Sequence, residues 1–319
     1  MKLSSEEFEL SLFHQHLQYA VELELWTIPY YLSAMYSVVD KHSTAYQLIR
    51  TIANQEMLHL QCAANIANAY GLVPTIDIPD YNGTVPHLNF TEDPVEVVEQ
   101  FIPHSFKIGP LDTPRINGMC LVELPEFDTN DSSNVALYDN FKEYGTIGAF
   151  YQALLHGAKL HEKEITGGVR QVNYFAPFYR NSPNLTITES GSVGFNQVEF
   201  LIHLITDQGE GYSKAEQIIP PVYQNTADDI EPEDDHFKKF LSIKESKAQP
   251  LTFAFKDPCS YSAHDKKLEG ILIDKYANLT AGLQALFAGE DPSAFFSDMA
   301  SVGGAIRNCW QNGVVPKFS

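Results

Sequence analysis

Apolar residues recur at helical spacing through two stretches near the start of the chain, Leu17 to Ala34 and Ile52 to Ala64, and each is interrupted on its inward side by residue types that ligate metals. The pattern predicts a first helix from about Ser5 to Val39, with Ser4 or Ser5 as cap and Glu6 and Glu7 in the first turn, where the helix dipole favours anions. Pro29 is expected to kink it. A second helix, from about Ser43 to Tyr70, ends at Gly71, a residue that can take the left-handed conformation closing a helix. The two should form an antiparallel hairpin. Helical periodicity returns from Tyr138 to Ile165 and again, after a polar and glycine-rich interlude over 166–192, from Gly194 to about Gln208. A short helix is expected from His236, behind the acidic run Asp228 to Asp235, with a solvated loop as the alternative. Two more follow, Lys266 to about Gly289 and Pro292 to Asn312, the first with Leu268, Ile271, Leu272, Tyr276, Leu279, Leu283 and Leu286 on one face.

Between the second and third long helices the sequence changes character. Prolines at 74, 79, 86, 94, 103, 110, 114 and 125 are spaced too closely for long helices, which leaves a crossover with one short helix near Pro94 to Phe101. A four-helix bundle needs such a crossover when consecutive helices must run parallel. The fold expected is therefore all-α: residues 1–245 as a bundle including the crossover 72–134, and residues 246–319 as a helical extension packed on it.

Composition narrows the functions available. At 319 residues and 44% hydrophobic content the chain can bury a substantial core. Asp and Glu (41) outnumber Lys and Arg (21), and a formal charge of −20 repels phosphate backbones and anionic lipid, so neither nucleic acid nor membrane is an expected partner. Cys62, Cys120, Cys259 and Cys309 are widely spaced, without a Cys-x-x-Cys pair, and read as reduced thiols. With no signal-like N-terminus and no long apolar run, a cytoplasmic location is expected.

The candidate chemistry lies on the helix faces that point inward. Glu56 and His59, three apart, share one face with Ala53, Leu60, Ala63 and Ala64, so they point into a core either as metal ligands or as a buried polar pair. The spacing alone is not decisive, because Glu233 and His236 repeat it. Glu24 shares a face with Leu17, Ala20, Val21 and Ile28, whereas Glu22 falls on the opposite, solvent side. At the end of the fourth helix His203, Asp207 and Glu210 form a stripe of metal-competent groups, where a helix C-terminus would otherwise favour cations. Tyr30, Tyr31, Phe150 and Tyr151 either line the resulting cavity or are plain core.

Taken in order, Ala20-Val-Glu-Leu-Glu24-x-x-Thr27-Ile-Pro29-x-Tyr31-Leu, Glu56-Met-Leu-His59-Leu with Ala64-Asn65-x-x-Asn68, Leu124-Pro125, Thr146-Ile-Gly-x-Phe-Tyr151, Gln208-Gly-Glu210-Gly and His236-Phe-x-x-Phe resemble one family. It is the ferritin-like family of iminophenyl-pyruvate dimer synthases, the metal-containing domains of bisindole-pigment coupling enzymes such as the violacein and rebeccamycin proteins. The likeness runs from about Phe8 to Ile243. It implies a ferritin-like four-helix bundle around iron, one or two ions, held by Glu24, Glu56, His59, Glu210 with Asp207, and His236; it favours His236 over Glu233, against the alternative of a surface histidine in a charged run. One position departs from the pattern: Ala149 stands where the family carries a carboxylate, and His156, Glu123 and Glu143 are the candidate replacements.

The resemblance implies a non-haem iron oxidoreductase of secondary metabolism acting on a small amino-acid-derived molecule, by oxidative coupling of an imine, with that substrate and O2 as partners and a homo-oligomer compatible with the reading. The alternatives are a non-catalytic metal-binding or storage protein, and a scaffold whose metal site has degenerated.

Overall fold

The computed structural model describes residues 2–86, 88, 98–125, 135–140, 143–175, 184–209, 229–231 and 234–319. Eight α-helices occupy them: α1 (Leu10–Ser37), α2 (Thr44–Ala69), α3 (Thr113–Val122), α4 (Ile147–Leu160), α5 (Gly191–Gly209), α6 (His236–Glu245), α7 (Ala263–Phe287) and α8 (Phe295–Gln311). Among these residues the only β pairing is two isolated bridges, Lys2 with Tyr138 and Val38 with Thr252.

The helix starts follow from their caps. Ser43 accepts from the Tyr46 amide, Thr146 from Ala149, Asp235 from Lys238, and Ser262 with Asp265 closes a reciprocal capping box. The expected cap of α1 at Ser4 or Ser5 is not formed. The Ser4 amide and hydroxyl both donate to Glu7 at 2.9 Å, which makes a separate turn, and the helix begins only after Glu9. α1 then continues through Pro29, which cannot donate to the Leu25 carbonyl. α2 ends as its sequence indicates, with Gly71 at φ +81°.

The crossover holds a helix that proline spacing argues against. Pro114 lies in the first turn of α3, where a missing N–H costs nothing, and Asp112 caps the Arg115 amide at 3.1 Å. A 3₁₀ turn at Glu99–Phe101 lies within the short helix expected near Pro94 to Phe101, the rest of which, apart from Val98, falls outside the described residues. Asp228, Pro232 and Glu233 of the acidic run fall outside them too.

α1 packs on α2 and α4, α5 packs on α2 and α4, and the four close a bundle; α6 lies against α2, α3 and α5. Every residue from Leu23 to Tyr31 is buried, on all sides of α1. A helix buried all round needs cover beyond its bundle neighbours, and α8 provides it. Arg307 donates to the carbonyls of Tyr36 (3.0 Å) and Val39 (2.8 Å), where α1 ends, and the Trp310 indole donates to Ser33 O at 2.8 Å. Asn65 and Asn68 of α2 serve the scaffold. Asn65 pins the backbone between α4 and α5 through Val172 O (2.8 Å), Leu185 O (2.9 Å) and the Val172 amide (2.8 Å), and Asn68 holds Phe287 O of α7 at 2.9 Å. No described helix is long and apolar enough to cross a membrane. Cys62, Cys120 and Cys309 are buried and Cys259 exposed, all as free thiols.

Candidate metal centre

Inside the bundle, Glu24, Glu56, His59, Glu123 and His236 converge, each at most 4% exposed. α1 contributes a stripe at i, i+3 and i+7: Glu24, Thr27 and Tyr31. α2 contributes Gln55, Glu56 and His59, and α4 contributes Ile147 and Tyr151 one turn apart. Glu123 caps the C-terminus of α3 and His236 is the first residue of α6. Ligating atoms of Glu56, His59 and His236 all lie within 4.8 Å of one another.

Each carboxylate uses one oxygen outward and one inward. Tyr151 donates its hydroxyl to Oε1 of Glu24, Tyr31 donates to Oε1 of Glu123 at 2.5 Å, and Thr27 donates to Oε2 of Glu56 at 2.6 Å. The other oxygens face the imidazoles. Nδ1 of His59 lies 3.7 Å from Oε2 of Glu24 and 3.5 Å from Oε1 of Glu56; Nδ1 of His236 lies 2.8 Å from the same Glu56 oxygen and 3.5 Å from Oε2 of Glu123. The centre is thus two similar halves, Glu24 with His59 and Glu123 with His236, sharing Glu56. The two rings stack at 5.4 Å between centroids.

The outer nitrogen of each ring meets an amide oxygen: Nε2 of His59 is 2.8 Å from Oε1 of Gln208, and Nε2 of His236 is 3.0 Å from Oε1 of Gln55. An amide oxygen only accepts, so Nε2 carries the proton and Nδ1 is the atom turned to the carboxylates. Orientation of a ligating imidazole by an outer acceptor is the usual way a protein prepares a metal ligand.

Electrostatics without a cation are strained. Burial pushes Glu24 well above the ordinary carboxylate range, and the Glu56 charge beside it pushes further. For Glu56, burial alone would raise the pKa, but the imidazoles of His236 and His59 beside it outweigh that and hold the group well below its usual value. Burial would likewise lower His236, yet Glu123 and Glu56 outweigh it and hold the ring up to about 9. The protein alone therefore favours the protonated forms of Glu24 and His236, a role that a bound cation would take over. Buried carboxylate oxygens and imidazole nitrogens with their outer atoms already satisfied fit a divalent cation of intermediate hardness.

A family model for ferritin-like proteins matches residues 17–245. The chain belongs to the ferritin-like family. A crystal structure of a ferritin-like protein from Caulobacter vibrioides is 38% identical to it, with a TM-score of 0.84 over 98% of this chain and 99% of that one. No curated protein matches the chain.

Within this ferritin-like bundle the candidate residues are distributed unevenly. Glu24, Glu56, His59 and His236 meet, and His236, fully buried, is no surface histidine. Ile205 and Gly209 of α5 line the cavity beside the cluster. His203 and Asp207 each precede one of these by two positions, about 200° round the helix, and neither lines the cavity. Glu210 and Glu233 lie outside the described residues. The same rotation separates Ala149 from Ile147 and Tyr151, so a carboxylate at 149 would turn away from this cavity. Of the candidate replacements, Glu123 is in the centre, while His156 is paired with Ser5 near the surface at 3.0 Å and Glu143 does not line the cavity.

The aromatics divide as well. Tyr31 and Tyr151 hold carboxylates, Tyr30 donates to Ser105 O at 2.7 Å, and Phe150 is core. Thr27, Gln55 and Gln208 have roles that the sequence alone does not disclose. The available signal is position: Thr27 one turn after Glu24, Gln55 next to Glu56, and Gln208 opening the Gln-Gly-Glu-Gly signature.

Proposed function

We propose that the protein is an iron-dependent oxidoreductase whose centre would take two ions, one held by Glu24 and His59 and the other by Glu123 and His236, with Glu56 available to both. The observation that carries this reading is the duplicated arrangement: two inward-facing Nδ1 atoms, each with its own carboxylate, both approaching one common carboxylate oxygen. Iron held there supplies one-electron redox chemistry toward dioxygen and an organic substrate.

The chain's own residues do the rest. Tyr151, Tyr31 and Thr27 each occupy one carboxylate oxygen and so fix which oxygen faces inward. Gln208 and Gln55 keep the imidazole protons on the outer nitrogens. Leu23, Ile147 and Ile205 give the cavity an apolar wall that excludes bulk water, and Gly209 leaves room above Glu123, since a β-carbon there would stand 3.2 Å from Oε2. The motif set from Glu24 to His236 supports the finer reading, oxidation of a small amino-acid-derived molecule in secondary metabolism, with oxidative coupling of an imine as the reaction class.

The test is iron analysis with oxygen uptake on the purified protein. Two iron ions per chain and oxygen consumption that depends on an added aromatic imine are expected. Iron bound without any substrate-dependent uptake would overturn the enzymatic reading in favour of metal binding alone.

A further inference from the structure

Two chains of aromatic rings leave the centre, and they differ in chemistry. From Tyr151 the next ring is Phe150, 5.4 Å away, and a hydrocarbon ring resists one-electron oxidation. From Tyr31 the neighbours are Phe240 at 5.0 Å and Tyr30 at 5.7 Å. Tyr30 continues to Trp26 at 4.9 Å, and Trp26 to Tyr81 at 5.5 Å. Among the described residues, this branch runs outward through oxidisable rings without interruption. Tyr31, Tyr30 and Trp26 are at most 1% exposed, and Tyr81 is partly exposed on the segment after α2.

We propose that Tyr31, Tyr30, Trp26 and Tyr81 form a one-electron relay between the metal centre and the surface, with a small phenolic or enediol reductant as the donor at Tyr81. The proposal rests on the iron reading above. Its use follows from electron balance: where dioxygen goes to water it takes four electrons, a two-electron oxidation of substrate supplies half of them, and the remaining two come from a second donor; where it goes to hydrogen peroxide the two electrons already balance and the relay is not called on.

The rings are fastened as a relay requires. Tyr30 is held by Ser105 O at 2.7 Å, the Trp26 indole by Asp80 O at 3.2 Å, and the Tyr81 hydroxyl by Trp26 O at 2.9 Å, so each polar tip is fixed and the rings stay in contact. At the inner end the Tyr31 hydroxyl already points at a proton acceptor, Oε1 of Glu123. For each electron, the donor would be oxidised and release its proton to solvent, the oxidised iron held at the centre would take up that electron, and the four rings would end unchanged. Tyr31 passes its phenolic proton to Glu123 when its ring is oxidised and recovers it when Tyr30 reduces it.

The experiment compares wild type with Trp26→Phe and Tyr81→Phe, each loaded anaerobically with ferrous iron. One portion is exposed to dioxygen without reductant, freeze-quenched for electron paramagnetic resonance, and mapped by peptide mass spectrometry for oxygen addition to side chains. In another, the ferric protein is mixed with ascorbate and its return to ferrous is timed. The relay predicts aromatic radical signal and oxygen addition at Trp26 and Tyr81 in wild type. In Trp26→Phe both should vanish beyond Tyr30, with iron content unchanged and ascorbate reduction slowed at least about tenfold, ~1.4 kcal/mol in barrier. Tyr81→Phe keeps the packing and should show the same slowing, which covers the case in which Trp26→Phe does not fold. Wild-type reduction rates in both variants, with no oxidation at Trp26 or Tyr81, would overturn the relay while leaving the iron reading intact. Absence of bound iron in wild type would overturn both.

Discussion

The two halves of the centre offer the same ligands to the same shared carboxylate, but they are built differently. Glu24 and His59 sit in the middle of helices of 28 and 26 residues, fixed by packing on every side. Glu123 and His236 stand at the ends of two 10-residue helices, one after the last turn of α3 and one at the start of α6, and depend on how those ends are capped and docked. Identical chemistry can thus be held by continuous helix or by helix termini. The second is easier to disturb, because termini fray and their position rests on a few hydrogen bonds.

The strongest way to break the comparison is to remove what both halves share. Glu56→Ala should abolish binding of both ions, seen as iron content falling from two per chain to none after dialysis; retention of one ion would show that the halves are independent of Glu56. Next in size, Glu24→Ala and Glu123→Ala should each leave one ion. If the halves differ as their construction suggests, the ion surviving in Glu123→Ala, held by the long helices, binds more tightly than the one surviving in Glu24→Ala, which calorimetry would rank.

How far the site can be read in the sequence follows the same division. Glu24, Glu56 and His59 are legible because helical periodicity places them among apolar residues on one face. Glu123 emerges only as one of three candidates, since Pro114 looks like a helix breaker until its first-turn position is known. His236 needs the resemblance, because an acidic run followed by His-Phe-Lys-Lys reads equally well as solvated surface. His203 and Asp207 show the limit of periodicity: a stripe of ligand types says which residues share a face, and only packing says which cavity that face meets, since Asp207 is buried yet does not line this one. The elements themselves are largely readable; α3 is the exception for the same reason as Glu123, and the helix expected from Tyr138 starts only at Ile147.

Smaller perturbations sharpen the picture. Gln208→Leu and Gln55→Leu remove the outer acceptors of His59 and His236 and should each weaken iron affinity about 10–100-fold, in opposite halves. Acidity acts mainly on the weaker half. His236 is raised from 6.5 to about 9 in the metal-free fold, so its charged form stabilises that fold fully below about 6.5, and the contribution is lost as pH rises through about 9. Glu24, raised, acts in the same direction above its unfolded value, whereas Glu56, lowered, contributes above its unfolded value and loses that contribution as pH falls. Melting temperature of the iron-free protein should therefore fall as pH rises from about 6.5 through about 9, less so in His236→Gln, and iron affinity should rise over the same interval as the His236 proton becomes easier to displace. The smallest effect expected is from Asp235→Ala, which removes the cap in front of His236: ~1 kcal/mol of stability, with the ion at Glu123 loosened and the ion at Glu24 unaffected.

The central claim is that buried carboxylates and imidazoles gather here because cations belong between them. Anomalous diffraction at the iron edge from crystals grown with ferrous iron under anaerobic conditions tests it most directly. Two peaks flanking Glu56, one beside Glu24 and His59 and the other beside Glu123 and His236, are predicted. An iron-saturated crystal with no anomalous peak among these five residues would contradict the account.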